Sequence, residues 1–197
     1  RAAQRQHTMG STVSLVRALL GIIVLLQPVL GVPAEILPRA NPTTCNGRSE
    51  YCTRSYSNIT FVGSHDSPFI GELPQQNQNI GIAAQLNMGI RYLQAQTHHS
   101  LIDENVLELC HTSCLLEDGG TLETFLGTVK SFLDANANEV VTILLTNGDS
   151  VDITKFGDTF SSAGIDKYAF VPSSNPLSIG DWPTLSEMIS TEKRLVV

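Results

Sequence analysis

The sequence is poor in aromatic residues, has no cluster of basic residues, and lacks the glycine-rich motifs that bind phosphate groups. Aromatic residues make up 6% of the 197 positions, and the net charge is −7. After residue 40 there remain eight basic and eighteen acidic side chains, with no lysine or arginine cluster among them. This balance argues against a nucleic-acid surface and against a polybasic membrane patch, because both need clustered positive charge.

A long apolar run is also missing, and the short one near the N-terminus has the features of a secretory signal. Arg17 precedes the apolar run 18–26, which is too short for a comfortable membrane span, and Pro28 and small residues follow it. This order predicts a signal peptide with its upstream residues over 1–34, followed by a Pro-rich linker over 35–44. A retained signal anchor is the alternative. We therefore expect a secreted or cell-surface protein.

Cysteine is scarce, but its placement fits secretion. The four cysteines form two close pairs, Cys45 with Cys52 and Cys110 with Cys114, each spanning a short, turn-rich stretch. Of the three pairings that four cysteines allow, we favour these two local disulfides. A zinc site with "CHTSC" as one half is the alternative, although no CxxC motif occurs. Asn58 opens the sequon "NIT" and is the predicted glycosylation site.

Apolar periodicity predicts alternating strands and helices after Cys45. The clearest helix begins after Thr121 as N-cap, since its apolar residues recur every three or four positions. "IRYLQAQTH" alternates like a half-buried strand, and "VVTILLTN" is a continuous apolar run typical of a strand buried on both faces. Shorter strands are predicted in "NITFVG", "NVLELCH", "YAFVP" and "KRLVV", and shorter helices in "NIGIAAQLNMG", "DITKFGDTFSSAG" and "TLSEMIS".

This alternation indicates an α/β fold with parallel strands, either a doubly wound sheet or a TIM-type (β/α) barrel. No GxGxxG or P-loop motif follows the first strand, which disfavours a nucleotide-binding sheet. We expect a barrel that is incomplete because the chain ends within a later strand, whereas a full barrel needs eight strands and about 250 residues. An unfinished barrel exposes strand edges, so we expect this stretch alone to be unstable or inactive.

Polar side chains follow three consecutive predicted strands. His65 and Asp66 follow the first strand, Gln94 and Gln96 end the second, and His111 follows the third. Because sites in α/β folds form at the carboxyl ends of strands, we expect these five side chains at one rim. His98 and His99 lie just beyond the second strand and are interpreted as surface residues.

Two histidines at one rim suit a reaction that needs a base on one side and an acid on the other. In phosphodiester cleavage one imidazole takes the proton of an attacking hydroxyl, and the other protonates the leaving oxygen. His65 and His111 are the candidates for this pair, with Asp66 as the carboxylate beside them. The plainer interpretations are loop histidines, a turn aspartate and, for Gln94 and Gln96, a buried amide pair.

The motifs "VGSHDS", "GIRYLQAQTH" and "LELCHTSC" resemble the X-region of phosphatidylinositol-specific phospholipase C, and most closely its secreted fungal relatives. The resemblance covers about residues 45–197 and implies a partial TIM-barrel domain there. It implies that His65 is the general base, His111 the general acid, and Asp66 the carboxylate that orients the second histidine. The reaction it implies is attack of the inositol 2-hydroxyl on phosphorus, which gives a cyclic phosphodiester.

Gln94 and Gln96 depart from the charged residues that this family has at the same positions. Animal enzymes carry Glu-x-Asp there for calcium, and bacterial enzymes carry Asp-x-Arg. Neutral amides are poor calcium ligands and supply no cation. We therefore expect no metal and no cofactor, with the two glutamines as substrate-binding residues. The carboxylate that orients the base in the family lies on a later strand.

The sequence thus predicts a secreted phosphoric diester hydrolase that cleaves a phosphoinositide or a related phospholipid and makes transient contact with a membrane surface. The alternative is a non-catalytic secreted barrel that binds phospholipid or inositol phosphate, and the neutral glutamines favour it. A glycerophosphodiester phosphodiesterase is a third option, but the Glu-x-Asp metal ligands of that class are absent. The sequence carries no indication of the oligomeric state.

Overall fold

The computed structural model describes residues 41–197, in which six strands form one sheet and four α-helices pack against it. The strands are β1 (Gly63–Ser64), β2 (Tyr92–His99), β3 (Leu107–Cys110), β4 (Asp118–Thr121), β5 (Val141–Asn147) and β6 (Leu195–Val196). The helices are α1 (Ile82–Asn87), α2 (Leu122–Ala135), α3 (Ile153–Ser162) and α4 (Leu185–Ser190). None of these helices combines the length and the apolarity that crossing a membrane requires. The predicted signal peptide and most of the predicted linker lie outside the described residues.

The sheet is mixed and open, with the strand order β4-β3-β2-β5-β6 and with β1 beside the first half of β2. β1, β2, β5 and β6 run parallel to one another. β3 is antiparallel to β2, and β4 is antiparallel to β3. Within the described range β4 and β6 end this strand order, and β1 pairs with β2 alone. β2 is its centre, since its first residues pair with β1 and β5 and its last three pair with β3.

The alternation of β2 determines which face of the sheet is buried. Leu93, Ala95 and Thr97 are fully buried, whereas Gln94 and Gln96 are only partly buried, because side chains alternate between the two faces of a strand. The buried face packs against the apolar stripe of α2, which consists of Leu122, Phe125, Leu126, Val129, Phe132 and Leu133. The opposite, polar face of β2 carries the candidate site.

The predicted helices are confirmed, and α2 begins where its cap was expected. The Thr121 hydroxyl accepts a hydrogen bond from the Thr124 amide at 3.1 Å, which satisfies one of the free amides at the helix start. α4 begins with a full capping box, in which Thr184 and Glu187 bond each other's backbone amides.

Both disulfides follow the local pairing that we favoured, Cys45–Cys52 and Cys110–Cys114. The first belongs to a second apolar cluster that includes Val140 and the buried residues of α4. The second uses both sulfurs of "CHTSC", so the zinc alternative has lost its thiolate ligands. Asn58 is exposed at the end of a short 3-10 turn. Its glycosylation stays a prediction.

The expectation of an all-parallel sheet is wrong at β3 and β4. Only residues 100–106 separate β2 from β3, which is enough for a hairpin but not for the crossover of a dozen or more residues that a parallel pair needs. β4 was not predicted at all, because "DGGT" has little strand propensity. His111 therefore does not follow a third parallel strand and reaches the site from an antiparallel one.

Two further strand predictions need correction. β5 is not buried on both faces, since Leu144 is 46% exposed, and the described residues cover only the side that packs against α2. "YAFVP" does not form a strand: a 3-10 turn occupies Asp166–Tyr168, and Ala169 makes a single bridge to Leu195. "NITFVG" contributes only Gly63, the first of the two residues of β1.

Candidate active site

β1 ends in a tight turn that places His65 and Asp66 beside β2. Under this turn lies a buried polar network that connects it to α1. The Ser64 hydroxyl donates to Gln85 Oε1 at 2.7 Å, and Gln85 Nε2 donates to the Ser67 carbonyl at 2.9 Å. Buried amides and hydroxyls are stable only when they are paired in this way. The network therefore holds both sides of the His65–Asp66 turn.

Gln94 of β2 holds the backbone of the same turn. Its Oε1 accepts a hydrogen bond from the Asp66 amide at 2.7 Å, and its carbonyl accepts one from the Ser67 amide at 2.7 Å. Asp66 has φ = +46°, a left-handed conformation in which aspartate is several-fold enriched over most residues. β2 thus stabilises Asp66 in a conformation that it would otherwise seldom adopt.

The Asp66 carboxylate is fully buried and lies between two imidazoles. His65 Nε2 is 3.1 Å and His111 Nε2 is 3.3 Å from the same oxygen, Asp66 Oδ2. Two amides complete the surroundings: Gln96 Nε2 donates to Oδ1 at 3.1 Å, and Asn77 Nδ2 donates to Oδ2 at 3.2 Å. A buried charge is tolerated only with such partners. One carboxylate therefore links the histidine after β1 to the histidine after β3.

His111 is held by contacts on both of its ring nitrogens and on its face. Its Nδ1 lies 2.8 Å from the Gln75 carbonyl oxygen, which can only accept, so Nδ1 carries a hydrogen. Its ring stacks on Phe69 with a centroid distance of 5.5 Å. Nε2 is therefore the nitrogen whose protonation can change, and it is the one that faces Asp66.

His65 is the exposed member of the histidine pair. Its side chain is 72% exposed, against 24% for His111 and 0% for Asp66. Its backbone carbonyl accepts a hydrogen bond from Gln78 Nε2 at 2.6 Å, which fixes the turn and leaves the imidazole open to an incoming molecule. The centre therefore consists of a buried carboxylate, a partly buried imidazole and an accessible one.

The two predicted substrate-binding glutamines are used differently. Gln96 engages both ends of its amide, since Nε2 donates to Asp66 and Oε1 accepts from the Thr112 amide at 3.1 Å. Gln94 engages Oε1 on the Asp66 backbone, and its Nε2 has no hydrogen-bond partner within residues 41–197. Substrate binding by the pair stays a prediction, with Gln94 Nε2 as the amide group that is still available.

A second histidine–carboxylate pair lies further along the same face of β2. His98 lies two residues after Gln96 and therefore on the same face of β2. Its Nδ1 lies 3.0 Å from Asp149 Oδ1. The His99 amide also donates to Asp149, at 3.0 Å, and this hydrogen bond, with a smaller contribution from His98, lowers the pKa of Asp149. Only 16% of the His98 side chain is exposed, so its interpretation as a surface residue is wrong.

Comparison with known proteins assigns the family. The family model described as PI-PLC X 1 matches residues 51–197. The chain belongs to the PI-PLC X domain family. A PI-PLC X domain-containing protein of Arthroderma benhamiae is 50% identical over 187 residues, which cover 94% of this chain and 60% of that protein. An uncharacterized secreted protein of the same fungus is 42% identical over 159 residues, covering 80% and 35% respectively. The chain thus spans less than two thirds of the length of either relative.

A solved structure supports the fold of this PI-PLC X chain. Phosphatidylinositol-specific phospholipase C from Staphylococcus aureus superposes with a TM-score of 0.54 at 19% identity. The superposition covers 73% of this chain and 48% of the bacterial one. At this low identity the likeness establishes the fold alone, an α/β fold built on a mixed sheet.

Resemblance to the animal PI-PLC X enzymes suggests calcium as the metal. The residues around Asp66 do not fit a calcium site. Calcium takes six to eight oxygen ligands, mostly from carboxylates and carbonyls. Asp66 is bordered by two imidazoles and two amides, and the Gln96 oxygen already accepts from a backbone amide. The single cluster of ligand types found within residues 41–197 is Glu108 with Cys110 and Cys114, whose sulfurs form the disulfide.

Three contacts of this PI-PLC X centre were missed by the sequence analysis. They are the Asn77 amide, the Gln75 carbonyl and the Phe69 ring, all in the segment after β1. Asn77 and Gln75 lie in "PQQNQN", whose composition is that of any exposed polar loop, so no signal marks them. Phe69 carries a weak signal, because it is an apolar residue three positions after the polar Asp66.

Proposed function

We propose that the chain carries the acid–base pair of a phosphoric diester hydrolase, with His65 as general base and His111 as general acid. The observation that supports this most is the convergence of both Nε2 atoms on Oδ2 of the buried Asp66. Each imidazole is positively charged at one stage of such a reaction. A carboxylate between the two rings stabilises that charge at either stage.

In the proposed reaction His65 takes the proton of a substrate hydroxyl while the oxygen of that hydroxyl bonds to phosphorus. The bond from phosphorus to the leaving oxygen breaks, and His111 gives the proton of its Nε2 to that oxygen. His65 ends with one more proton and His111 with one fewer, and exchange with water restores both. With a phosphoinositide the attacking hydroxyl is the inositol 2-hydroxyl, so the product is a cyclic phosphodiester.

A lipid is the substrate that the surroundings of the pair favour. Leu73, Leu115 and Leu116 are 55%, 88% and 51% exposed, and we call them the leucine rim. Leu73 lies in the loop after β1 and the other two lie in the loop between β3 and β4. These two loops touch where Gln75 contacts the ring of His111. Exposed apolar side chains beside a reactive centre suit contact with lipid chains.

We also propose that the described residues form the first part of a (β/α) barrel and that the protein is extracellular. An open sheet that superposes on about half of a bacterial phospholipase C supports the first statement. Two disulfides support the second, because disulfides persist mainly in oxidising compartments. The relative from Arthroderma benhamiae that is named a secreted protein agrees with it.

The test is hydrolysis of phosphatidylinositol by the full-length protein and by single histidine variants. His65→Ala and His111→Ala should each lower kcat by about 10²-fold or more, the usual contribution of a positioned acid or base. His99→Ala is the matched control, since His99 lies on the opposite face of β2 from the glutamines, and it should keep the parent's kcat. If both alanine variants turned over substrate like the parent, the acid–base assignment would be wrong.

A non-catalytic phospholipid- or inositol-phosphate-binding barrel is the second candidate, and the neutral glutamines favour it. Charge on the phosphoryl oxygens is usually stabilised by cations or by oriented donors. No lysine or arginine within residues 41–197 donates a hydrogen bond to the histidines, Asp66 or the glutamines. Binding of inositol phosphate measured by calorimetry, together with no turnover of any phospholipid, would support this candidate over the hydrolase.

A further inference from the structure

The Cys110–Cys114 disulfide encloses the segment that carries His111. Cys110 ends β3 and is fully buried, so the disulfide anchors the loop to the sheet. The covalent ring contains His111, Thr112 and Ser113 between the two cysteines. Its backbone folds tightly, since the Ser113 amide donates to the His111 carbonyl at 2.8 Å. His111 therefore has much less freedom than a histidine in an open loop.

Thr112, the next residue after His111, has an unusual backbone conformation. Its φ is +67°, which is an outlier for a β-branched residue. Such a conformation persists only where the surroundings impose it. Two contacts impose it here: the closed disulfide ring and the hydrogen bond from the Thr112 amide to Gln96 Oε1. Relaxing Thr112 would turn the chain at His111 and move its ring away from Asp66.

We propose, as an extension of the proposed function, that the Cys110–Cys114 disulfide is a positioning element for His111, so that acid catalysis requires the oxidised form. The two polar contacts of the His111 ring, 2.8 Å at Nδ1 and 3.3 Å at Nε2, exist together only for one placement of that ring. A dithiol reductant would open the disulfide by exchange: the reductant is oxidised to its own disulfide, and Cys110 and Cys114 each gain a thiol hydrogen.

The chain supplies its own control for this proposal. The second disulfide, Cys45–Cys52, is also local, with a sequence separation of 7 against 4 for Cys110–Cys114. It packs in the apolar cluster with α4 and Val140, and its ring encloses none of the site residues. Loss of either disulfide removes one cross-link. Only loss of Cys110–Cys114 should displace His111, the proposed general acid.

The experiment compares two substrates that differ in their need for an acid. Phosphatidylinositol loses an alkoxide, which must be protonated, whereas the p-nitrophenyl ester of inositol phosphate loses a phenolate that leaves without help. In the full chain, Cys110→Ser/Cys114→Ser should lower kcat on phosphatidylinositol about tenfold or more, with KM changed by less than about threefold. On the p-nitrophenyl ester kcat should change by less than about threefold, because His65 is untouched.

Two further variants complete the test. Cys45→Ser/Cys52→Ser should keep kcat on both substrates within about threefold once the rate is referred to folded protein. Thr112→Asn added to the Cys110/Cys114 variant should recover about threefold or more of the lost kcat, because asparagine tolerates positive φ without a disulfide to enforce it. Treatment of the parent with a dithiol should reproduce the selective loss on phosphatidylinositol.

Equal losses on both substrates, or equal effects of the two cysteine pairs, would overturn the proposal, since they would show general destabilisation. A parent protein that cleaves neither substrate would show instead that the proposed function has failed. The positioning claim is then decided by NMR of the His111 ring nitrogens. Signals that stay in place when the Cys110–Cys114 disulfide is opened would refute it, and signals that move while the fold is kept would support it.

Discussion

The Asp66 carboxylate has two kinds of partners, and the difference shows how a buried acid would support the proposed acid–base pair. Gln96 and Asn77 donate aligned amide hydrogen bonds to it, at 3.1 and 3.2 Å. The imidazoles of His65 and His111 lie at ion-pair distance from Oδ2. If a substrate engaged the two imidazoles, the Gln96 and Asn77 amides would still donate hydrogen bonds to Asp66. The carboxylate would therefore not become an unpaired buried charge.

Gln96 and Gln94 offer a matched pair of substitutions at the residue scale. Gln96→Glu replaces a donor with a carboxylate 3.1 Å from Asp66, so the buried charge loses a hydrogen bond and gains a repulsion. We expect a loss of about 1–3 kcal/mol in the free energy of unfolding. Gln94→Glu keeps an acceptor for the Asp66 amide and should cost clearly less. Urea denaturation with a constant m-value measures both losses.

The hydrogen-bond assignment is tested by which of the two substitutions lowers the free energy of unfolding more. Equal losses would mean that a charge anywhere near the turn lowers the free energy of unfolding. The hydrogen bond donated by Gln96 would then make no separate contribution. A larger loss for Gln94→Glu would contradict the hydrogen-bond assignment itself. Gln96→Met separates the two causes, because it removes the donor without adding a charge.

At the scale of elements, the sequence predicted the strand with a clear alternation, β2, and failed where two strands form a hairpin and where the short apolar run "YAFVP" makes only a single bridge. The alternation in "IRYLQAQTH" predicted a half-buried strand, and in β2 Leu93 and Ala95 are buried while the glutamines face the other side. The antiparallel direction of β3 depends on its pairing with β2, which the apolar pattern of β3 itself does not encode. The spacing of residues 100–106 held that information, since a parallel crossover does not fit into seven residues.

The same distinction separates the site residues that could be predicted from those that could not. His65, Asp66 and His111 stand in short motifs next to strand ends, which marked them, although the parallel-strand argument for His111 was wrong because β3 is antiparallel to β2. Asn77 reaches Asp66 from a loop whose path is set by contacts to the β3–β4 loop, such as the Gln76–Glu117 hydrogen bond of 3.0 Å. Such a path is a tertiary property and has no local signature.

Asp134 near the end of α2 gives an element-scale prediction that depends on pH. Hydrogen bonds from Lys130 and, next in size, Tyr168 hold the pKa of Asp134 well below its ordinary value. A carboxyl group with a lowered pKa stabilises the fold above its unfolded pKa of about 3.9, and this stabilisation is lost as the pH falls through the folded pKa. Because the side chain is 38% exposed, Asp134→Asn should cost less than about 1 kcal/mol at pH 7.

The sign of this pH dependence can be checked by measuring unfolding free energies at pH 7 and near pH 2. The difference between parent and Asp134→Asn should shrink at the lower pH, since the parent's carboxylate is becoming protonated. Asp158→Asn is the control, because Asp158 is an exposed acid that makes no hydrogen bond or ion pair within residues 41–197. A difference that grew toward pH 2 would contradict the lowered pKa.

At the scale of the whole molecule, the acidic net charge and the exposed leucines together indicate which kind of interaction would bind the protein to a lipid surface. Residues beyond position 40 carry a net charge of −10, so attraction to anionic lipids cannot supply the contact. The leucine rim lies on the loops that hold His111 and offers apolar contact instead. Contact by burial of apolar area is insensitive to salt, whereas electrostatic contact is screened.

The leucine rim therefore predicts a variant that separates binding to vesicles from chemistry. Leu115→Ser/Leu116→Ser should weaken binding to phosphatidylcholine vesicles containing phosphatidylinositol about thirtyfold or more, because each leucine contributes about 1 kcal/mol or more when it is partly buried in lipid. The kcat/KM on a monomeric short-chain phosphatidylinositol should stay within about twofold, since the polar contacts of His65 and His111 come from other residues. Val171→Ser/Ile179→Ser is the matched control, with two similarly exposed apolar side chains, 78% and 79%, outside the two loops that hold His111. Equal effects of the two pairs, or vesicle binding by the parent that disappears in 1 M salt, would contradict docking through this rim.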